Sequence, residues 1–404
     1  MMNGNQRNSR FPIAITITVF FVLSAPSAAV GFQVSPSIAL VGSWDSNIFN
    51  TNTDETSDYV FRALPRITFF QDAYQSTIQV GGGIQSEWYA DNSDLNKLVA
   101  TSDVYLTVED PLLLTPRLTL RPYFRFVNSD DPVRRNELTQ FFVPGIPPSE
   151  AVITARGKEK EYRGYLLMGY RVTPKVDLLV GGGVTQLDVG DSTTSDSQDS
   201  RRVTGDTSFL YSLTPRFSSG VFYNAGFNTW ERDPNTDTHT VGLQGRYRLS
   251  ELYTLILRGG ATFLDGPATV VNDGWYPYGR LDLRYQRQYF VFLLRGSYEL
   301  VGGSIGQMVK RGNVVVRMEN RISEKWSWHL RGYYQTNVSL DNPATVDVDT
   351  IYGAGGIEYH ANEWASVLLR GDIVRQSSSG LDENDVDRES VFLGVSLSKP
   401  YKPY

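Results

Sequence analysis

Arginine recurs at alternate positions in the segment LTPRLTLRPYFRF, residues 114 to 126. One side of this segment carries Arg117, Thr119, Arg121, Tyr123 and Arg125. The other side carries Leu118, Leu120, Pro122, Phe124 and Phe126. A row of guanidinium groups can bind anions or pair with carboxylates. Because a period of two is typical of a β-strand, we expect the arginines to project from one face of a sheet.

The surroundings of that face depend on the kind of sheet. In a soluble sheet the apolar side faces a core and the arginines face water. In a membrane barrel the apolar side faces lipid and the arginines point into the lumen. The organisation of the whole chain distinguishes these two arrangements.

The first 29 residues have the three parts of a secretory signal peptide. Arg7 and Arg10 precede an apolar stretch from residue 11 to 23, and SAPSAAVG then offers a cleavage site after Ala29. The alternative is an anchor helix, but the apolar stretch is shorter than the roughly 20 residues that span a bilayer. We therefore expect a signal peptide at 1–29 and a single barrel domain at 30–404.

Composition excludes several classes of function. The 38 basic and 44 acidic residues give a net charge of −6, and no basic block is present, so a nucleic-acid partner is not expected. The chain has no cysteine, which excludes disulfides, a thiol nucleophile and thiolate metal sites. No cofactor is expected.

Short turns and longer polar loops alternate along the chain. Eight short breaks lie near residues 72, 115, 173, 214, 250, 288, 323 and 362. Nine longer polar segments begin near residues 46, 91, 128, 188, 231, 265, 301, 338 and 376. These 17 connections join 18 strands, and an error of one hairpin gives a range of 16 to 18. The pattern predicts an all-β, transmembrane antiparallel barrel in the outer membrane, with short periplasmic turns and long outer loops.

Tryptophan placement supports the membrane barrel independently. Four tryptophans lie beside long loops (Trp44, Trp88, Trp230 and Trp275), and three lie beside short turns (Trp326, Trp328 and Trp364). In a soluble β-sandwich or propeller, Trp belongs in the core at strand centres. Its restriction to strand ends is typical of the aromatic girdles of a membrane barrel.

The charged side of each strand is therefore predicted to line the lumen, since arginine against lipid at the bilayer midplane costs about 2 to 4 kcal/mol. The predicted lining consists of Arg62, Arg66, Arg121, Tyr123, Arg125, Arg246, Arg248, Arg258, Arg280, Asp282, Arg284, Arg295, Glu299, Arg317, Glu319, Arg331, Arg370 and Asp372.

Two interpretations of this wall stay open. The charges could pair and hold the barrel interior together. Alternatively, because arginine outnumbers carboxylate, the wall could create a positive field that favours anionic solutes or polymers. Tyr123, Tyr278 and Tyr333 share the predicted inner side and could stack against sugar rings, although tyrosine is common in barrels.

The longest loop, residues 128 to 158, contains the apolar segment FFVPGIPP. An apolar stretch is not expected to extend into water, so the loop could fold inward and narrow the pore. The constriction would then include Asp130, Asp131, Arg134 and Arg135. The alternatives are a loop that caps the barrel from outside or one that contacts a neighbouring subunit.

No catalytic or metal site is predicted. His239, His329 and His360 lie on separate strands without metal-ligand spacing, and only His239, near the outer rim, is a candidate for a hydrolase triad. The two GGG segments, 81–83 and 181–183, lie within strand patterns and indicate bends or close packing. Pro122 cannot donate to a ladder, which predicts a bulge at that point.

Two segments carry a resemblance to a known family. GSWDSNIFNT, from Gly42, and HTVGLQGRYRLSELYTLILRGGATF, 239 to 263, resemble the first strand and the repeated hairpin of the beta-barrel porin 2 family. The resemblance implies an outer-membrane barrel of a kind often associated with exopolysaccharide export. Trp44 replaces the family's usual tyrosine. The C-terminal VFLGVSLSKPYKPY departs more, because Pro400 and Pro403 stop pairing, so the last strand should end near Ser398.

These observations predict a channel in contact with outer-membrane lipids that passes a hydrophilic, anionic polymer or solute. The resemblance favours exopolysaccharide secretion, with polysaccharide and periplasmic export components as partners. The alternatives are a general diffusion porin for small hydrophilic solutes and a structural sleeve around a periplasmic partner. An enzyme is not expected.

Overall fold

A computed structural model describes residues 32–51, 54–73, 76–108, 110–129, 159–189, 199–231, 234–266, 274–302, 308–340, 347–379 and 385–399. The predicted signal peptide and the four residues of the predicted constriction loop lie outside these ranges.

The described residues form 19 strand segments and one short 3-10 helix, Ser93–Leu95. The strands are β1 (Phe32–Asp45), β2 (Asp58–Ala73), β3 (Ser76–Tyr89), β4 (Lys97–Val108), β5 (Leu112–Thr115), β6 (Leu118–Ser129), β7 (Glu159–Thr173), β8 (Val176–Val189), β9 (Ser200–Ser212), β10 (Phe217–Trp230), β11 (Thr236–Arg248), β12 (Tyr253–Asp265), β13 (Gly274–Arg287), β14 (Phe290–Gly302), β15 (Met308–Arg321), β16 (Trp326–Ser339), β17 (Asp347–His360), β18 (Ala365–Ser379) and β19 (Val386–Ser398). Among the described residues, no helix has the length and apolar character needed to cross a membrane.

The sheet closes on itself. Each strand pairs with its chain neighbours in antiparallel fashion, and β1 also pairs with β19 along residues 37–45 and 390–398. Because β4 and β5 occupy one position between β3 and β6, the barrel has 18 strand positions. The predicted fold class, the strand number and the alternation of short and long connections are confirmed. The last strand ends at Ser398, also as predicted.

The irregularity predicted at Pro122 lies in the neighbouring strand. β6 pairs with β4 down to Phe124 and with β5 from Leu120, so the partner strand is interrupted beside Arg121, Pro122 and Tyr123. On its other side β6 pairs with β7 without a break, Pro122 facing Leu166. The residue without an N–H therefore stands where one of its two ladders is absent.

The outer surface of the barrel is apolar. On many strands, alternate residues are exposed hydrophobics, such as Val241 and Leu243 on β11 and Leu393 and Val395 on β19. All seven tryptophans lie within the last or first three residues of a strand or in a turn. An apolar belt between two aromatic girdles is the surface that outer-membrane lipids cover, so this is an outer-membrane barrel.

A buried ion pair holds the seam between the first and last strands. Arg388 on β19 donates from Nε and Nη2 to the two carboxylate oxygens of Asp45 on β1, at 3.0 and 2.5 Å. Its Nη1 donates to Oδ1 of Asn50 at 2.9 Å, which ties the first outer loop to the same guanidinium group. Bidentate pairing of two buried charges fixes the register in which the barrel closes.

The membrane placement predicts a depth-dependent response to charge. Leu243 lies on the outer face at mid-height of β11, whereas Leu249 lies in the short turn that follows. Leu243→Arg should destabilise the barrel by about 2 to 4 kcal/mol and Leu249→Arg by about 0 to 1 kcal/mol. Urea unfolding in lipid vesicles measures both. Equal costs would contradict the proposed position of the lipid belt.

Candidate functional site on the enclosed face

Burial identifies the inner face of the wall. In a single-layer closed barrel, a side chain with almost no exposure must lie on the enclosed side. Arg311 is 0 % exposed, Asn228 2 % and Arg388 3 %. Following the register from these residues, every residue of the predicted lining falls on the same enclosed face.

Ion pairs join strands across this face. Arg62 donates from Nε to Oε1 of Glu87 at 2.9 Å and from Nη1 to the hydroxyl of Ser43. Four residues further along β2, Arg66 donates across β3 to Oδ2 of Asp103 on β4 at 2.6 Å. Such pairs compensate charges that would be costly alone in a partly dry interior, because each charge is held at hydrogen-bond distance from its partner.

Two carboxylates each join two arginines. Asp282 on β13 accepts from Nε of Arg280 at 2.8 Å and from Nε of Arg295 on β14. Glu319 on β15 accepts from Nε of Arg317 at 2.7 Å and from Nη2 of Arg331 on β16 at 3.3 Å. One carboxylate that serves two guanidinium groups leaves a net positive charge in each cluster.

The inner aromatic residues contact arginines or other aromatic rings of the wall rather than offering free ring faces. The ring of Phe392 lies 5.9 Å from the guanidinium carbon of Arg62 and 5.6 Å from that of Arg370. Tyr333 stacks on Tyr352 with centroids 5.1 Å apart. Tyr123 is only 6 % exposed and Tyr278 packs against Phe222. These contacts favour a structural role for the tyrosines over stacking against sugar rings.

The glycine triplets make room for tyrosine side chains. A Cβ built on Gly181 would lie 2.5 Å from the hydroxyl of Tyr165, and one on Gly81 would lie 2.7 Å from that of Tyr105. The Tyr165 hydroxyl donates to Oδ2 of Asp206 at 2.7 Å, so its ring crosses β8 along the wall. The predicted close packing at both GGG segments is confirmed.

A group of arginines near the short turns has no carboxylate partner. Among the described residues, no ion pair includes Arg246, Arg248 or Arg284, and all three side chains are exposed to the lumen. Arg248 and Arg284 flank Thr254 at one level of the wall. Asp177 lies within electrostatic range of Arg246. Its carboxylate is already paired with Arg171, with Nε 3.6 Å from Oδ1.

Further positive charge surrounds this group. Arg258 lies above it on β12, with its guanidinium carbon 5.5 Å from the ring centroid of Phe222. From the opposite wall, Arg121 on β6 lies within electrostatic range of Arg284. We call Arg246, Arg248 and Arg284 the arginine patch. Guanidinium groups that are wet and unpaired can bind passing anions.

Near the long loops, β13 and β14 separate. Their ladder runs from Arg287–Phe290 to Gly279–Tyr298 and stops there, although β13 continues to Gly274 and β14 to Gly302. On its other side, β13 stays paired with β12 up to Gly274. Pro277, which has no N–H to donate, lies in the stretch that has lost β14.

Several charged residues of the enclosed face were not predicted. They include Glu87, Asp103, Glu161, Arg163, Arg202, Asp206, Arg311 and Arg388. The alternation in EKEYRGY, from Glu159, would have found Glu161 and Arg163. Arg202 follows Arg201 and Arg311 follows Lys310, so adjacent charges hide which one points inward.

The three histidines lie apart. His239 is on the outer face, with Nδ1 2.8 Å from the hydroxyl of Tyr223 and its ring near Phe227. His329 lies on the enclosed face opposite Glu319, and His360 lies near Ser327 at the end of β17.

Comparisons with known proteins give a likeness of fold only. No family model and no curated protein matches the chain. OpdQ of Pseudomonas aeruginosa is 10 % identical, with a TM-score of 0.46 over 92 % of this chain and 98 % of that one. OccK7 (OpdD) of the same organism is 10 % identical, with a TM-score of 0.45 over 93 % and 100 %. The outer membrane protein OpdK is 11 % identical, with a TM-score of 0.43 over 91 % and 100 %. Similarity at this level carries no information about a solute.

The two-arginine cluster of Asp282 predicts a large stability loss on neutralisation. Asp282→Asn removes the charge that Arg280 and Arg295 share, and so leaves two poorly hydrated guanidinium groups without their common carboxylate. We expect a loss of about 3 to 5 kcal/mol. The matched control is Asp177→Asn, which breaks an exposed pair and should cost at most about 1 kcal/mol. Urea unfolding in vesicles distinguishes them, and equal losses would show that the Asp282 cluster is not a stabilising element.

Proposed function

We propose that this barrel is an outer-membrane channel for small anionic solutes. The observation that carries the proposal is the arginine patch: three exposed arginines on the enclosed face without a carboxylate partner among the described residues. The predicted lining residues would form the walls of the path, and their ion pairs would hold those walls in place.

The mechanism would be passive and electrostatic. An anion in the lumen would exchange part of its hydration for contacts with guanidinium groups. The wall already holds these groups close together, so binding would require little further ordering of their side chains. Confinement between low-dielectric walls strengthens the positive potential and raises the local anion concentration. Each contact is exposed and wet, so the anion could also leave, as conduction requires.

The geometry supports small solutes over a polymer. The outer end of β14 has separated from β13, while β15 stays paired with β16, and side chains from five strands meet there in one apolar cluster. A continuous sugar chain would need a wide path through that region. Exopolysaccharide secretion and membership of the beta-barrel porin 2 family are less supported, since they rest on motifs common to barrels.

A general diffusion porin and a structural sleeve make different predictions. A general diffusion porin would show little preference for the sign of a small ion. A structural sleeve around a periplasmic partner would conduct in the absence of that partner but would carry no solute in its presence. The unpaired arginines favour the anion channel over both, because neither needs them.

Removing the patch should reduce anion preference. For the triple variant Arg246→Gln, Arg248→Gln and Arg284→Gln, we expect the anion-to-cation permeability ratio to fall roughly three- to tenfold. Reversal potentials of the protein in planar bilayers under a salt gradient measure this ratio.

The matched control removes the same charge from the outward-facing side of three strands, with Lys160→Gln, Arg201→Gln and Arg287→Gln. This control should leave the ratio within about twofold of the unmodified protein, because exposed surface charge is screened. A cation-selective unmodified protein, or equal effects of the two triple variants, would overturn the proposed function.

A further inference from the structure

At the outer ends of β14 and β15, the side chains that should face lipid are buried. Counted along the strands, Leu300, Met308 and Lys310 alternate on the lipid-facing side. Yet Leu300 is 5 % exposed and Met308 0 %. They pack against Leu264 of β12 and Tyr276 of β13, which point into the lumen. The outer side of this hairpin therefore rests on the inner side of the wall.

The hairpin also reaches a strand far along the sheet. A Cβ built on Gly302 would lie 3.0 Å from Oδ1 of Asn228 and 3.3 Å from Cζ2 of Trp230, both on β10. β10 and β14 are four strand positions apart, which in a regular wall is about 19 Å. Contact across that span requires the hairpin to fold into the mouth of the barrel.

Burial on both faces agrees with this position. Val301 and Val309, which alternate with Leu300 and Met308, are 3 % and 1 % exposed. A hairpin in the wall of a barrel would expose one face to lipid. This one is covered on both, so it lies within the mouth.

Charged side chains lie just below the folded hairpin. Arg311 on β15 donates from Nη2 to Oε1 of Glu299 on β14 at 2.8 Å. Arg202 on β9 pairs in register with Asn228, the residue that Gly302 contacts, and lies within electrostatic range of Glu299 and Arg311. One carboxylate thus stands between arginines that approach from the two sides of the mouth.

We infer that Glu299, held by Arg311 and facing Arg202, is the charge that sets selectivity at a constriction formed by the outer ends of β14 and β15. This inference rests on the proposed function as a channel. A solute that enters the mouth passes the narrow place beside Glu299 before it reaches the arginine patch. The carboxylate there limits how strongly the lumen attracts anions.

Neutralising two carboxylates of equal charge tests the position of the constriction. Glu299→Gln should raise the anion-to-cation permeability ratio about fivefold, because a unit charge acts at short range where the path is narrow. Glu319→Gln, which neutralises a carboxylate on the same face that is bound by Arg317 and Arg331, should raise it less than about twofold, because water screens a charge in a wider lumen. Equal shifts in reversal potential would overturn the inference.

The absence of native cysteine allows a direct test of the fold of the mouth. Cysteines at Gly302 and Asn228 should form a disulfide on mild oxidation, since a Cβ at position 302 would lie 3.5 Å from Cγ of Asn228, the atom whose place the sulfur would take. The matched control pairs Gly302→Cys with Thr229→Cys, the next residue of β10, which is exposed on the outer face. Gel mobility without reductant reports each bond.

The two tests also separate this inference from the proposed function. Cross-linking of Cys pairs at 302 and 229 but not at 302 and 228 would place the hairpin outside the mouth and overturn the inference. Absence of both cross-links, with all cysteines reactive toward a maleimide, would overturn it as well. A cation-selective unmodified channel would instead overturn the proposed function, while the comparison of Glu299→Gln with Glu319→Gln would still locate the constriction.

Discussion

A chain in hydrocarbon cannot leave backbone N–H and C=O groups unpaired, and the closed ladder follows from that constraint. Closure depends on the pairing of β1 with β19, where the buried Asp45–Arg388 pair joins the two strands at the outer rim. Prolines occur where the ladder is interrupted. Pro122 stands beside the gap between β4 and β5, and Pro277 beside the stretch where β13 has lost β14.

Closure also decides what the interior contains. Because each strand alternates, a sheet with a lipid-facing belt must place its remaining side chains in the enclosed space, whatever their charge. Those charges are costly unless paired, and Arg62–Glu87, Arg66–Asp103 and the Asp282 cluster provide that pairing. Where pairing stops, at the arginine patch, water has to supply the compensation. The distribution of carboxylates therefore divides the enclosed face into a supporting part and a part accessible to solutes.

The sequence allows the barrel to be predicted in some detail because its signals are local. Turn spacing predicts 18 strands, and strict alternation around Arg121 and Arg284 assigns a face to each side chain. Alternation fails where neighbouring residues have the same character, as at Arg201 and Arg202 or Lys310 and Arg311. The ion-pair partner of a charged residue is harder still to predict from sequence. Arg388 and Asp45 are 343 residues apart and meet only because the barrel closes.

The outer ends of β14 and β15 show a second limit of assigning strand faces from alternation. Alternation with a period of two shows which residues share one side of a strand. It does not show whether that side faces lipid or another part of the protein. Leu300 and Met308 follow the lipid-facing phase and are apolar, so they satisfy the pattern whether they meet lipid or the inner wall at Leu264 and Tyr276. Apolar side chains gain similar free energy in either place. The choice between the two is made by the gap beside Pro277 and by the close approach that Gly302 permits to Asn228. The shape of the mouth is therefore set by a break in the ladder, and the charge that a solute meets there depends on the same break.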